Sequence, residues 1–275
     1  MEVRAKKSLG QHFLVDLSVA RRIVDALEAP SGQSTDVLEI GPGMGVLTRY
    51  LLERGELNLK LVELDGESVD FLLTHFNGMQ GKLHQADYLK LDIHRLFPEN
   101  YCIIGNFPYN ISSQIFFKIL EDRDRVPQVV CMIQKEVAER IAEGPGSKTY
   151  GILSVLLQTW YDIEYLFTVE PGAFAPPPKV RSAVIRLRRN TRTELPVDWK
   201  LFMAVVKAAF NQRRKTLRNA LRQLINVRAA AAGWDESRTA GFLSAPVLDM
   251  RAEKLGVDEF IALTAQISGI GADAQ

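Results

Sequence analysis

Val37-Leu38-Glu39-Ile40-Gly41-Pro42-Gly43-Met44-Gly45 is the stretch that settles the fold. Four residues of strand character run into a turn crowded with glycine. Val46, Leu47, Tyr50 and Leu51 then recur at helical spacing, and Gly55 stands just past their end. A glycine-rich turn between a strand and a helix lets the backbone come close to a bound molecule. Leu57 to Leu64 reads as the next strand, with Glu63 near its end, eighteen residues beyond Gly45. A carboxylate there can accept both hydroxyls of a ribose. A dinucleotide cofactor calls for G-x-G-x-x-G/A, but Val46 occupies the place that has to be small. The Glu39-x-Gly41-x-Gly43-x-Gly45 spacing suits S-adenosylmethionine, which has no pyrophosphate to cradle.

The alternation of strand and helix continues downstream. Val69, Leu72, Leu73 and Phe76 mark a helix, and a strand from Lys82 leads into Gln85-Ala86-Asp87-Tyr88. Asp87 can accept from an adenine amino group, or it can cap the segment that follows. The apolar run Tyr101 to Ile104 is a buried strand that stops at Gly105-Asn106-Phe107-Pro108-Tyr109-Asn110. Pro108 lacks an N–H and keeps Phe107 extended, so no helix crosses the turn. An exocyclic amine could donate to the Asn106 oxygen and to a backbone carbonyl while its base stacks on Tyr109. An ordinary turn after a core strand uses the same residues.

A helix with Ile115, Phe116, Ile119 and Leu120 follows, then a strand over Val129–Ile133 and a helix over Glu136–Glu143. Gly144 to Gly151 is a flexible loop. Strands at Tyr161–Val169 and Val180–Arg188 flank Phe174-Ala175-Pro176-Pro177-Pro178. This order predicts an α/β fold with a parallel sheet covered on both faces and ligands at the carboxyl ends of its strands. Gly41, Glu63, Asp87 and Asn106 all fall at such ends. Upstream, Arg4, Lys6 and Lys7 make a basic arm before Gly10-Gln11-His12-Phe13-Leu14. A helix carrying Ala20, Ile23, Val24 and Leu27 comes next, closed by Pro30-Ser31-Gly32.

Beyond Asn190 only helical periodicity remains: Phe202, Val205, Val206, Ala209 and Phe210, then Leu217, Leu221 and Leu224, then Glu236–Phe242 and Val257–Ile267. The reading is a domain of residues 1–192 and a smaller all-helical domain of residues 193–275, joined around Thr191–Pro196. Eleven Lys and Arg lie between Arg186 and Arg222, opposed only by Glu194 and Asp198. Arg214, Arg218 and Arg222 are expected on one helix face opposite the leucines. A stripe of one sign is either a solvated face or a footprint for nucleic acid.

The chain has 275 residues, 47% hydrophobic and 24% charged, with a net charge of +1, as for an ordinary globular protein. Cys102 and Cys131 lie in apolar runs and read as reduced core residues without metal-ligand spacing. No signal-peptide core and no membrane-spanning run are expected, which makes the cytoplasm the default compartment.

With these residues assembled, the chain resembles the small-subunit ribosomal RNA adenine dimethyltransferases from end to end. The matching blocks are Ser8-Leu9-Gly10-Gln11-His12-Phe13-Leu14, Glu39 to Gly45, Gly105 to Ser112, Phe174-x-Pro176-x-Pro178-Lys179-Val180, and Phe210 to Leu217. Asparagine is common in that family where His12 stands, and leucine where Phe107 stands. The resemblance implies a Rossmann-like class I S-adenosylmethionine-dependent methyltransferase domain with a small C-terminal helical domain. It implies dimethylation of two adjacent adenosines near the 3′ end of 16S rRNA, late in small-subunit biogenesis. It places the cofactor against His12, Leu14, Gly41 and Gly43, with Glu63 on the ribose, Asp87 and Tyr88 near the adenine, and Asn106 shared with the substrate. Catalysis would rest on Asn106, Phe107, Pro108 and Tyr109, with Phe174 helping Tyr109 to stack the target base. Arg213, Arg214, Lys215, Arg218 and Arg222 would contact RNA. The implied partner is the small ribosomal subunit, met by a monomer with no metal and no membrane contact. Rival readings are a large-subunit drug-resistance methylase, a DNA adenine methylase, and an assembly factor that binds RNA without catalysis.

Overall fold

The computed structural model describes Lys6, residues 10–29 and residues 34–270. Arg4, Lys7, Ser8, Leu9 and the helix stop at Pro30-Ser31-Gly32 lie outside the described residues. Two compact units divide the chain, one running to Glu139 and resuming over Tyr161–Asn190, the other made of Arg140–Trp160 and the residues from Thr191 on. The boundary at Asn190 lies two residues from the division read in the sequence. The excursion Arg140–Trp160, assigned by the sequence to the first domain, belongs to the second unit.

Among the described residues the first unit carries nine strands: β1 (Phe13–Leu14), β2 (Thr35–Ile40), β3 (Leu57–Glu63), β4 (Leu83–Gln85), β5 (Cys102–Asn106), β6 (Gln128–Gln134), β7 (Tyr161–Val169), β8 (Phe174–Ala175) and β9 (Ser182–Arg189). Its helices are α1 (Leu17–Asp25), α2 (Thr48–Glu53), α3 (Gly66–His75) and α4 (Ser112–Glu121), and α5 (Lys135–Ala142) runs across the boundary. Seven strands form one sheet in the order β4-β3-β2-β5-β6-β9-β7, while β1 pairs with β8 apart from it. The strands from β4 to β6 are parallel, and their central members are buried on both faces: Val37, Leu38, Ile103, Ile104, Val129 and Val130 are fully or almost fully covered.

The sheet is mixed, where the sequence pattern predicted a parallel one: β9 lies antiparallel between β6 and β7. Residues 170–181, which join β7 to β9, contain no α-helix, and without a crossover element the chain returns antiparallel. One contact fixes the spacing at the centre. A Cβ on Gly105 of β5 would stand 2.5 Å from the Ile40 carbonyl oxygen of β2, so only glycine lets these strand ends approach.

The second unit is helical: α6 (Ile152–Gln158), α7 (Trp199–Asn211), α8 (Leu217–Ala231), α9 (Glu236–Leu243) and α10 (Val257–Ser268). Leu153, Val155, Leu156 and Leu157 of α6 are buried, which explains why this helix shows no amphipathic period in the sequence. Phe210 of α7 sits with its ring centroid 5.8 Å from those of Tyr150 and Phe260, the centre of this unit's core. Among the described residues no helix is long and apolar enough to cross a membrane.

Candidate active site

The carboxyl ends of β2, β3, β4 and β5 open into a cavity in the first unit, and residues 10–14 border it. Its floor is the turn after β2. The Gly41 N–H donates to the Val62 carbonyl of β3 (3.0 Å), which ties the turn to that strand, and the Gly45 N–H donates to the Pro42 carbonyl (2.9 Å), which folds the turn back on itself. Gly43 has φ +55°, and a Cβ there would press within 3.1 Å of the Phe13 ring. Its N–H donates to Glu63 Oε2 at 3.0 Å, and the Asp65 N–H donates to Glu63 Oε1 at 2.8 Å.

Glu63 is buried at the end of β3, and burial pushes its carboxyl above the ordinary value against the pull of these backbone N–H groups. A carboxylate has about four acceptor sites, so two N–H bonds leave capacity for a pair of hydroxyls. Asp87, past the end of β4, accepts from the Leu89 N–H at 3.0 Å through Oδ1. That is the capping geometry offered as its alternative role, and the residue also lines the cavity. Tyr88 beside it is buried, and its carbonyl accepts from Lys118 Nζ at 2.6 Å.

Another side of the cavity is built by β5 and the turn after it. The Phe107 N–H donates to the Met132 carbonyl (3.0 Å), which holds the strand to its last residue. The Phe107 ring goes inward, edge-on to Phe116 with centroids 5.9 Å apart, so its backbone is the part that serves the cavity. Asn106 Nδ2 donates to the His12 carbonyl at 3.1 Å, which turns Oδ1 the other way as an acceptor. The Tyr109 hydroxyl meets Ser182 Oγ, which fixes the plane of its ring, and burial raises its phenol above the ordinary value.

Twelve of the residues implied by the resemblance belong to the first unit, and eleven of them line one cavity: His12, Leu14, Gly41, Gly43, Glu63, Asp87, Tyr88 and Asn106 through Tyr109. Phe174 is the exception. It is 4% exposed, in register with Leu14 across β1 and β8, and does not border the cavity. The ring beside Tyr109 is instead His12, with centroids 5.4 Å apart and planes tilted by 30°. His12 Nδ1 donates to the Pro176 carbonyl at 3.0 Å. Sequence reading missed Asp65, whose signal was a second carboxylate two residues after Glu63 in the same turn.

The basic residues read from the second unit fare differently. Arg214 and Lys215 lie in the turn before α8, not on its face, because the helix starts only at Leu217. Arg213 is spent on Glu253 (3.0 Å) and the Ser147 carbonyl (3.1 Å). Arg218 is spent on the Leu243 carbonyl (2.7 Å) and Asp249 (2.6 Å). Arg214, Lys215 and Arg222 are exposed. In the first unit, Arg186 and Arg188 are both paired with Glu28 and Glu164. Part of the dense run of positive charge in the sequence, Arg186, Arg188, Arg213 and Arg218, is thus answered by acids far along the chain.

A family model described as ribosomal RNA adenine dimethylase matches residues 2–240. The chain belongs to the ribosomal RNA adenine dimethylase family. It is an rRNA methyltransferase with the class I, S-adenosylmethionine-dependent fold. Its similarity to the ribosomal RNA small subunit methyltransferase A of Parabacteroides distasonis is 55% identity over 95% of this chain and 93% of that protein. The protein of the same name from Cytophaga hutchinsonii is 53% identical over 98% and 99% of the two chains. Among solved structures, a dimethyladenosine transferase from Plasmodium falciparum shares the fold, with a TM-score of 0.77 at 23% identity over 94% and 98%. The 23S rRNA methyltransferase ErmE superposes with a TM-score of 0.62 at 25% identity over 93% and 99%.

Proposed function

We propose that this adenine dimethylase transfers methyl groups from S-adenosylmethionine to two adjacent adenosines near the 3′ end of 16S rRNA, dimethylating the exocyclic amine of each. It acts on the small ribosomal subunit, late in its biogenesis, as a cytoplasmic monomer. The observation that carries the chemistry is the Asn106 amide, tied through Nδ2 to the His12 carbonyl so that Oδ1 is held as an acceptor at the end of β5. The small-subunit substrate is supported by the names of relatives more than half identical over almost the whole chain.

The cavity fits the cofactor by its donor and acceptor set. Glu63 has acceptor capacity for the ribose hydroxyls, Asp87 for the adenine amine, and the turn at Gly41 and Gly43 leaves room for the methionine part. Leu14, Tyr88 and residues 12–13 wall it from the other side. The cofactor supplies an electrophilic methyl group on a sulfonium.

Adenine's amine is a weak nucleophile because its lone pair is delocalised into the ring. Asn106 Oδ1 and the Phe107 carbonyl accept its two hydrogens, draw the nitrogen toward tetrahedral geometry and localise the pair. Pro108 cannot donate an N–H and keeps that carbonyl turned outward. Tyr109, fixed by Ser182, gives the base a face to lie on. That localised pair would take the methyl group, the electrons of the carbon–sulfur bond staying with the sulfur, and the methylated ammonium would release its proton to water. No strong base is needed, and positioned dipoles carry most of the rate. The remaining N–H allows a second round. In the helical unit, the exposed Arg214, Lys215 and Arg222 contact phosphates, which position an RNA without reading it.

The likeness to ErmE favours a large-subunit substrate as the second reading. Labelled methyl transfer to unmodified small subunits, large subunits and DNA, followed by nucleoside mass analysis, separates the two. Dimethyladenosine arising from small subunits alone is the expected result; label in 23S rRNA or DNA overturns the assignment.

A further inference from the structure

Asp65 is 4% exposed, two residues past the β3 end that carries Glu63. Its N–H donates to Glu63 Oε1 at 2.8 Å. Its carboxylate takes Lys6 Nζ, the Gln11 amide at 3.4 Å and the Ser68 hydroxyl at 3.2 Å. Lys6 also reaches Glu67 at 3.0 Å, and its own N–H donates to Gln11 Oε1 at 2.9 Å. Lys6 and Gln11 are therefore fastened to one buried carboxylate and to each other.

From Gln11 the chain passes along the cavity. The His12 carbonyl holds Asn106, and Gly10 packs so close to Asn110 that a Cβ would lie 2.6 Å from its Oδ1. The strap of residues 10–14 thus runs from the ribose side of the cavity to the reacting side, with Phe13 and Leu14 buried in its wall. Nothing in the chemistry of methyl transfer calls for a carboxylate at position 65. Burial alone would push that carboxyl up; the Lys6, Gln11 and Ser68 contacts more than reverse this and hold it below its ordinary value.

We propose that Asp65 is a positioning residue for cofactor binding: through Lys6 and Gln11 it latches the strap over the cavity, and through its N–H it orients Glu63. This rests on the reading of the cavity as the S-adenosylmethionine site. The latch acts on how tightly the cofactor is held, not on the reacting nitrogen. Lys6 lies outside the cavity lining, so its effect reaches the cavity through its carboxylate partners Asp65 and Glu67 and through the strap.

The test compares the full-length parent with Lys6→Met, Asp65→Asn and the double variant. Calorimetry gives the affinity for S-adenosylmethionine, and steady-state methylation of small subunits gives KM and kcat. Each single variant is expected to raise the cofactor Kd and KM roughly tenfold, the scale of a lost hydrogen bond to a charged group. At saturating cofactor kcat should stay within about twofold, the pattern of lost binding rather than lost transition-state contact. The double variant should be no worse than the weaker single variant, since both break one contact. Asp65 also stands at the N-cap of α3, and a purely structural role there would leave Lys6→Met with parental affinity. That result, or a fall in kcat with KM unchanged, overturns the latch. A parent protein that binds no S-adenosylmethionine overturns the reading of the cavity itself, and is told apart because no variant is needed to see it.

Discussion

Glu39 shows how single residues in this cavity are held in costly states. It is 1% exposed at the end of β2, borders the cavity and accepts from Thr48 Oγ1 at 2.7 Å. Burial, against that hydrogen bond and with the nearby Glu63 adding to it, pushes its carboxyl up to about 8. Between its unfolded value of 4.5 and about 8, the folded protein keeps a proton that the unfolded chain has released. Stability is therefore lost as pH rises through that window and is level above it. Glu39→Gln, which keeps an acceptor for Thr48 but cannot ionise, should gain on the parent by on the order of a few kcal/mol between pH 5 and pH 8. Urea melts of both proteins across that range check it; a constant difference would show that Glu39 is ionised in the folded state. Residue identity made the cavity's polar members legible in the sequence, because a carboxylate or an amide at a strand end has few structural uses. The partners of Asp65 were not legible, since Lys6 and Gln11 lie more than fifty residues away from it.

Elements were legible wherever burial was one-sided. The helices of the first unit and α7, α8 and α10 show their apolar faces as a period in the sequence. Helix α6 does not, because Leu153 through Leu157 are covered all round. Strand order was beyond the sequence for a different reason: β9 enters between β6 and β7 with Ala183, Val184, Ile185 and Leu187 buried, the same apolar character as the parallel strands, so residue type does not mark its place. The pairing of β8 with β1, which buries Phe174 beside Leu14, is equally unmarked in the sequence. The β2–β5 approach supplies this scale's prediction. Gly105→Ala places a methyl 2.5 Å from the Ile40 carbonyl oxygen, and backbone on both sides must shift. The cost should be about 1–3 kcal/mol, as for an overpacked core. Because the strand ends carry Gly41 and Asn106, cofactor affinity should fall with it. Thermal melts showing parental stability would mean that the two strands can part without penalty.

At the scale of the whole molecule, charge is the feature that sequence order misrepresents. Eleven cations within one stretch suggest a stripe, yet Arg186, Arg188, Arg213 and Arg218 are bound to carboxylates from distant segments. A triple change of Arg214, Lys215 and Arg222 to Ala should weaken binding to the small subunit. It should also flatten the salt dependence by roughly 0.7 to 0.9 units of slope per lost phosphate contact. Arg218→Ala should leave that slope alone and instead lower stability by about 1–2 kcal/mol, as the Leu243 carbonyl and Asp249 lose their partner. Filter binding at several salt concentrations distinguishes the two, and a slope lost with Arg218 rather than with the exposed trio would reverse their roles.

The division of labour within the cavity, with Glu63 for the cofactor and Asn106 for the reacting amine, is most directly tested by one rate. Single-turnover methylation of small subunits by Asn106→Ala, at saturating S-adenosylmethionine and with RNA binding measured alongside, isolates the chemical step. Loss of one of two acceptors at the nitrogen should slow that step by about 10²-fold or more, by analogy with removing one oxyanion-hole donor, while RNA affinity barely changes. A rate within a few-fold of the parent under those conditions would contradict the assignment of Asn106 Oδ1 as the group that receives the amine.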